Sequence, residues 1–272
     1  MEINNSIKHF FKVATVEYKL SLASEFVYRW QVLMWVVSDA IQPVIFGTLW
    51  VSVSKSGFSE VPTNYIISYY FLVVIVSRLT QDWSIQFVSN SIIDGDFAKY
   101  LVRPFNYLAE MFGISLAIRT LRIILMIPLI LVAFIYLGNR ISYDLNTLNV
   151  CLFIGSAILG FVINFFLGNI FALVAFFIKQ VVGLRALYVN LVSILSGEYI
   201  PLKFLSHGML FIFQLLPFRY VLSFPIEILS GDLNLSSIRD GYLIGALWLA
   251  VLFFVYKAMF RYSIKKYESE GI

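Results

Sequence analysis

The chain has 272 residues, 60% of them apolar and 13% charged, with a mean hydropathy of +0.84. A soluble domain carries roughly a quarter charged residues and about half apolar ones, so the surplus apolar surface faces lipid and a large soluble catalytic domain is excluded. The formal charge of +4 is the balance of 20 Lys and Arg against 16 Asp and Glu, and where those bases sit matters most, because they mark the cytoplasmic side of a membrane protein.

The first thirty residues are interrupted by Glu2, Lys8, Lys12, Glu17, Lys19, Glu25 and Arg29, which leaves no apolar core for a cleavable signal peptide. At about 100° per residue, Ile3, Ile7, Phe10, Phe11, Ala14 and Tyr18 share one stripe while Lys8, Lys12 and Lys19 lie opposite. The expectation is a cationic amphipathic helix over 1–30, resting in the membrane interface. Apolar windows follow at Gln31 to Ser54, Tyr65 to Arg78, Ile114 to Leu137, Leu148 to Phe177, Val181 to Ser196 and Gly241 to Phe260. At ~20 residues per span they predict an all-α polytopic membrane protein with six transmembrane helices over 31–260 and a cytoplasmic tail over 261–272. No internal repeat or flexible linker divides the chain, so one membrane domain over 1–272 is expected.

A further apolar stretch, Leu202 to Leu216, lies between Pro201 and Pro217. As a helix its fifteen residues reach about 22 Å against ~30 Å of hydrocarbon, too short to cross. Residues 199–228 therefore read as an outer re-entrant or interfacial helical segment broken at Pro201, Pro217 and Pro225. With both termini inside, fifteen of the twenty basic residues fall on the inner side, and Lys55, Arg140, Lys203, Arg219 and Arg239 on the outer. That asymmetry follows the positive-inside tendency.

Several chemistries are missing. The sequence contains no G-x-x-x-x-G-K-[ST] phosphate cradle, no HExxH or CxxC metal spacing and no G-x-S-x-G nucleophile elbow. His9 and His207 are far apart, and Cys151, alone in NVCLFIG, reads as a packing residue. Neither a catalytic centre nor a resident metal or cofactor is expected. Asp39 is the one carboxylate inside an otherwise clean span, a candidate for substrate, proton or cation contact or for structural pairing across a helix interface. Arg119 and Arg122, one turn apart, either hold an anionic lipid headgroup or snorkel to the interface. Arg78 and Asp82 are spaced i,i+4, the simplest ion pair on a helix.

The longest inner loop carries a pattern. Trp83, Phe87 and Ile92 fit one helical face, Gly95 ends that helix, Asp96 is placed to cap a short second one, and Pro104 stops it. A short amphipathic helix presenting Phe97, Tyr100 and Leu101 is a docking element for a groove, or an interfacial helix on headgroups. The string I-I-D-G-D-F-A-K-Y-L-V-R-P-F-N resembles the coupling segment of ABC-transporter permeases of the type-2 export class. Far along the chain, S-G-E-Y-I-P-L, then L-P-F, then F-P-I-E-I-L-S-G is similar to the outer re-entrant segment of the same class.

The resemblance implies the membrane subunit of an ATP-driven exporter, not itself an enzyme, working by alternating access. Its partners would be a separate ATP-binding cassette subunit, which would hold ATP and Mg, a second permease copy or relative, and membrane lipid, with no nucleic acid. It implies ATPase contacts at Gly95, Asp96, Tyr100, Arg103 and Pro104, with Phe97 and Leu101 as groove-filling anchors. It implies an outer lid shaped by Ser196, Gly197, Glu198, Pro201, Leu202, Pro217, Phe218 and Pro225, and a place in a bacterial inner membrane. The other reading open to the sequence is a secondary transporter or channel, for which only Asp39 speaks.

Overall fold

The computed structural model describes residues 2–57, 61–102, 107–141, 143, 145–178 and 181–265. Among them no strand occurs, and eleven α-helices follow in order: α1 Glu2–Val27, α2 Arg29–Lys55, α3 Thr63–Thr80, α4 Ser84–Ile93, α5 Ala98–Val102, α6 Tyr107–Leu137, α7 Thr147–Leu173, α8 Val181–Leu195, α9 His207–Leu215, α10 Ser223–Leu229 and α11 Leu235–Ile264. Five segments are long and apolar enough to cross a membrane: α2, α3, α6 with its extension to Arg140, α7 with its extension to Phe176, and α11. The fifth predicted span, α8, has only 15 residues, about 22 Å of helix.

The helix that the others pack around is α7. Gly160, Ile163, Asn164, Phe165, Phe166 and Gly168 are all enclosed, because α3, α4, α10 and α11 pack around it. Gly160 allows the closest approach: a Cβ there would collide with the Tyr220 carbonyl. Around this axis the large residues Phe97, Phe165, Tyr220 and Phe224 are at most 2% exposed. The outer faces of α6 and α11 instead leave Leu131, Ile135, Leu243, Leu247 and Phe254 more than half exposed. Contiguous apolar surface of that kind is not stable against water, and it makes this an integral membrane protein.

The N-terminal helix packs on the bundle. It runs parallel to the first half of α6, with Val13, Ala14 and Ala109 buried between them and the Phe10 and Phe112 rings 6.0 Å apart. The contact is close enough for the Tyr18 hydroxyl to lie 3.4 Å from Thr120 Oγ1. Ile7 and Phe11, predicted on the same apolar stripe, remain more than half exposed, so the stripe is divided between α6 and the surroundings. At 31 residues, about 46 Å, α6 is long enough both to pair with α1 and to cross hydrocarbon.

Candidate functional site

Three groups of residues singled out by the sequence lie in distinct places. The first is the α4–α5 segment. Its buried face is Ile85, Val88 and Ile92, not Trp83, Phe87 and Ile92 as expected, and Phe87 is 42% exposed. The reason is the turn into α4: Asp82 accepts from Ser84 N at 2.9 Å and from Ser115 Oγ at 2.6 Å, which rotates the helix toward α7. The chain leaves α4 through Gly95 at φ +74°, a left-handed geometry that favours glycine. Phe97 N then donates back to Ser91 O at 2.8 Å. The Asp96 carboxylate accepts from Lys99 Nζ at 2.5 Å on an exposed surface.

Phe97 is the main correction. It is fully buried, its ring meeting Tyr107 at 5.2 Å and Phe176 at 5.1 Å, with Tyr100 beside it. A side chain so enclosed is not available to a partner's groove; it roots the segment in the bundle. What the segment presents outward is Ile93, Asp94, Asp96, Lys99 and Val102, the last 84% exposed. Leu101 lies in α5, its side chain undescribed, and Arg103 and Pro104 lie outside the described residues.

The second group joins Asp39 to two arginines, Arg78 and Arg122, with Arg119 one turn away. Arg78 and Asp39 form an ion pair between α3 and α2, and Arg122 Nη1 of α6 reaches the same carboxylate oxygen at 3.3 Å. The i,i+4 pairing of Arg78 with Asp82 is thereby overturned, because Asp82 is occupied by the hydroxyls of Ser84 and Ser115. Asp39 answers to the structural alternative, pairing across helix interfaces. Neither Arg119 nor Arg122 snorkels outward. Arg119 is buried, donates to Gln81 O at 2.7 Å and stacks 3.5 Å from the Phe161 ring centroid, while Arg122 lies over Trp83 at 4.2 Å. Burial pushes the Asp82 carboxyl up, against its hydroxyl and backbone donors and the attraction of Arg119.

The third group forms the broken segment after α8. Gly197 at φ +92° ends that helix in a Schellman turn, Glu198 N donating to Ser193 O at 3.0 Å. The Gly197 carbonyl then accepts from Tyr69 Oη at 2.9 Å, and the Ser196 carbonyl accepts from Ser223 Oγ, which ties α8 to α3 and α10. Pro201 precedes a short 3-10 turn over Leu202–Phe204, and Pro217 opens another over Pro217–Val221. Both breaks fall where the sequence placed them. Pro225 is different: it sits in the first turn of α10, where its missing N–H costs nothing, and the break falls at Leu222 instead. Leu202, Pro217 and Pro225 are buried, and Phe218 packs partly buried on the main core. Arg219 and Glu227, neither singled out for this site, form an ion pair at 2.5 Å that staples the 3-10 turn to α10. Their eight-residue separation hid the pair.

Between α3, α7, α8 and this turn is a polar cavity of about 60 Å³, lined by Ser77, Thr80, Asp82, Asn164, Ser193 and Glu198, room for a few waters. Burial pushes the Glu198 carboxyl up, ahead of the opposing hydrogen bond from Ser193 and the pull of Arg78. A substitution Gly197→Ala forces a β-carbon into both the positive-φ turn and the Ser223 hydroxyl. It is expected to destabilise by more than about 1 kcal/mol, read as a lower melting temperature of the purified protein.

Residues 30–271 match the family model described as ABC-2 family transporter protein. The chain belongs to the ABC-2 transporter family. No curated protein and no solved structure matches it. An ABC-2 permease is the membrane subunit of an ABC transporter, a transport protein and not itself the ATPase, and an ABC ATPase partner is implied in general. Among the described residues of this permease no group of His, Cys, Asp and Glu is arranged to hold a metal ion.

Proposed function

We propose that this ABC-2 permease is half of the membrane channel of an ATP-driven exporter, and that the α4–α5 segment receives the stroke of a separate ATPase. The observation that carries the reading is a division of labour within that segment: Phe97 is locked in the core while Ile93, Asp94, Asp96, Lys99 and Val102 face outward. A push on the outward face is transmitted through Phe97 to Tyr107 of α6 and Phe176 beyond α7 as a rigid-body displacement rather than a local dent. In this reading α8 completes a sixth crossing with its semi-polar flanks, both termini are cytoplasmic in a bacterial inner membrane, and ATP with Mg is held by the partner. A second permease subunit completes the pathway, which 196–229 covers as an outer lid. Alternating access follows as a shift between two packings that ATP binding and hydrolysis select. Asp39, the one support for ion-coupled secondary transport, is engaged by Arg78 and Arg122.

The test targets the outward residues. Replacing Ile93 and Val102 together with alanine removes apolar surface that a groove would bury, worth about 1.5–3 kcal/mol for each side chain fully buried. Permease abundance is expected to persist while co-purified ATPase falls by tenfold or more; unchanged recovery refutes docking at this segment. Removing the charge of Asp96 acts more weakly, since an exposed ion pair contributes about 0–1 kcal/mol.

Sidedness is tested in a Cys151→Ala background with single cysteines at Ser206 and Lys265, both exposed. In intact cells a membrane-impermeant thiol reagent is expected to label position 206 and not 265. The reverse pattern overturns the orientation. Lys265 is preferable to nearby Ser263, which is fully buried.

A further inference from the structure

Arg122 is the more loosely held guanidinium of the arginine cluster. Arg78 and Arg122 share the single carboxylate of Asp39, and Asp82 is the acid that acts on Arg119. Of the two guanidiniums on Asp39, Arg122 has the longer contact, and its Nε is buried without a hydrogen-bond partner. A buried cation without close hydrogen-bonded partners is costly, and Arg122 lines a cavity of about 270 Å³ between α1, α2, α4 and α6. The other walls supply neutral groups suited to an anion and its polar neighbours: the amides of Gln31 and Gln86, the Tyr28 hydroxyl and the Trp35 indole. Tyr28 and Trp35 are about half exposed or more, as aromatic residues at a membrane interface are. Glu25 also stands on the wall and is a second acid acting on Arg122; burial pushes its carboxyl up, ahead of the pull of Arg122.

The cavity does not stand alone. Along the same seam between α2 and α6 run two overlapping apolar grooves of about 400 and 530 Å³. Small residues open them: Ala40, Gly47 and Ala133 line one or both, between Val44 and Phe71. The order along the helices is consistent, with Gln31, Val32 and Trp35 beside Ile118 and Arg122 in the polar cavity, then residues 37–52 beside 129–137 in the grooves. Sixteen residues of α2 span about 24 Å, about four-fifths of the ~30 Å hydrocarbon, and so more than the depth of one leaflet.

We infer that this seam holds one anionic glycerophospholipid, its phosphate against Arg122 and an acyl chain in the α2–α6 groove. Charge complementarity selects the headgroup, and the apolar groove selects a lipid over a free anion. The ligand is thus a phospholipid of the leaflet on the α1 side, held by the permease chain itself and independent of the ATPase contact.

Native mass spectrometry of the full chain, purified in mild detergent and exposed to phosphatidylglycerol or phosphatidylcholine, tests this. Phosphatidylglycerol is expected to be retained preferentially, and Arg122→Gln to weaken that retention by about ten- to a hundredfold, the scale of losing one charge-assisted contact, with Arg122→Lys intermediate. Because Arg122→Gln also disturbs Asp39, Ala133→Trp provides a second variant: it fills the groove without touching the arginines, and retention is expected to fall there too. Equal retention of the two lipids, or retention that survives Ala133→Trp, overturns the proposal. Full displacement by excess inorganic phosphate also overturns it, in favour of a free-anion site. A cysteine at position 133, with Cys151→Ala, that cross-links two chains in the membrane overturns it in favour of a second copy covering the groove.

Discussion

Asp39→Asn is expected to lower the melting temperature of the purified permease more than any other single charge removal. The carboxylate is the shared counter-ion of Arg78 and Arg122, whose side chains are only 5% and 11% exposed. Asparagine keeps the shape and can still accept a hydrogen bond, but it leaves two guanidinium charges in a poorly hydrated interface between α2, α3 and α6. Breaking a buried pair by removing one partner costs about 3–5 kcal/mol, a large share of the stability of an ordinary domain. The double variant Asp39→Asn with Arg78→Gln is expected to recover part of the loss, because the remaining Arg122 still has the face of Trp83. Fluorescence-detected size exclusion after a heating series checks both. A single variant that melts with the wild type would show that the cluster is solvated, and a double variant no better than the single would place the damage elsewhere.

Phe97→Ala is expected to act on the permease before it acts on any partner. The ring is fully enclosed and meets Tyr100, Tyr107, Phe176 and Phe260, so truncation opens a cavity and costs about 3–5 kcal/mol. The expected result is a lower yield of monodisperse protein, together with loosening of α4 and α5 visible as faster amide exchange over 84–102. Replacing Ile93 and Val102 with alanine is expected to leave both readouts unchanged while reducing ATPase recovery. The two variants therefore separate the root of the segment from its docking face. If Phe97→Ala instead leaves yield and exchange intact and removes only the ATPase, the ring must leave the core to meet the partner.

Composition and periodicity were sufficient for the membrane class, the all-helical architecture and most of the helix order. Apolar excess of this size cannot be buried within 272 residues, and glycine and proline punctuate a helix through local backbone sterics, which is why Gly95, Gly197, Pro201 and Pro217 were legible as ends. The family was legible only through the resemblance of two local strings, and the match over residues 30–271 bears that family out. Which side chains meet was decided only by tertiary packing. Spacing alone made Arg78 and Asp82 partners, yet Ser115, thirty-three residues from Asp82, took the aspartate, and Asp39, thirty-nine residues from Arg78, took the arginine. Phe97 looked like an offered anchor because it stands in the turn just before a five-residue helix, α5, and so short a segment has no periodicity long enough to tell its inner face from its outer one. The α1–α6 pairing, the Arg219–Glu227 staple and the seam between α2 and α6 likewise arise from helices distant in sequence or from contacts off the helical period. No local rule encodes those juxtapositions; they exist because buried charge and aromatic volume must find partners wherever the packed helices bring them together.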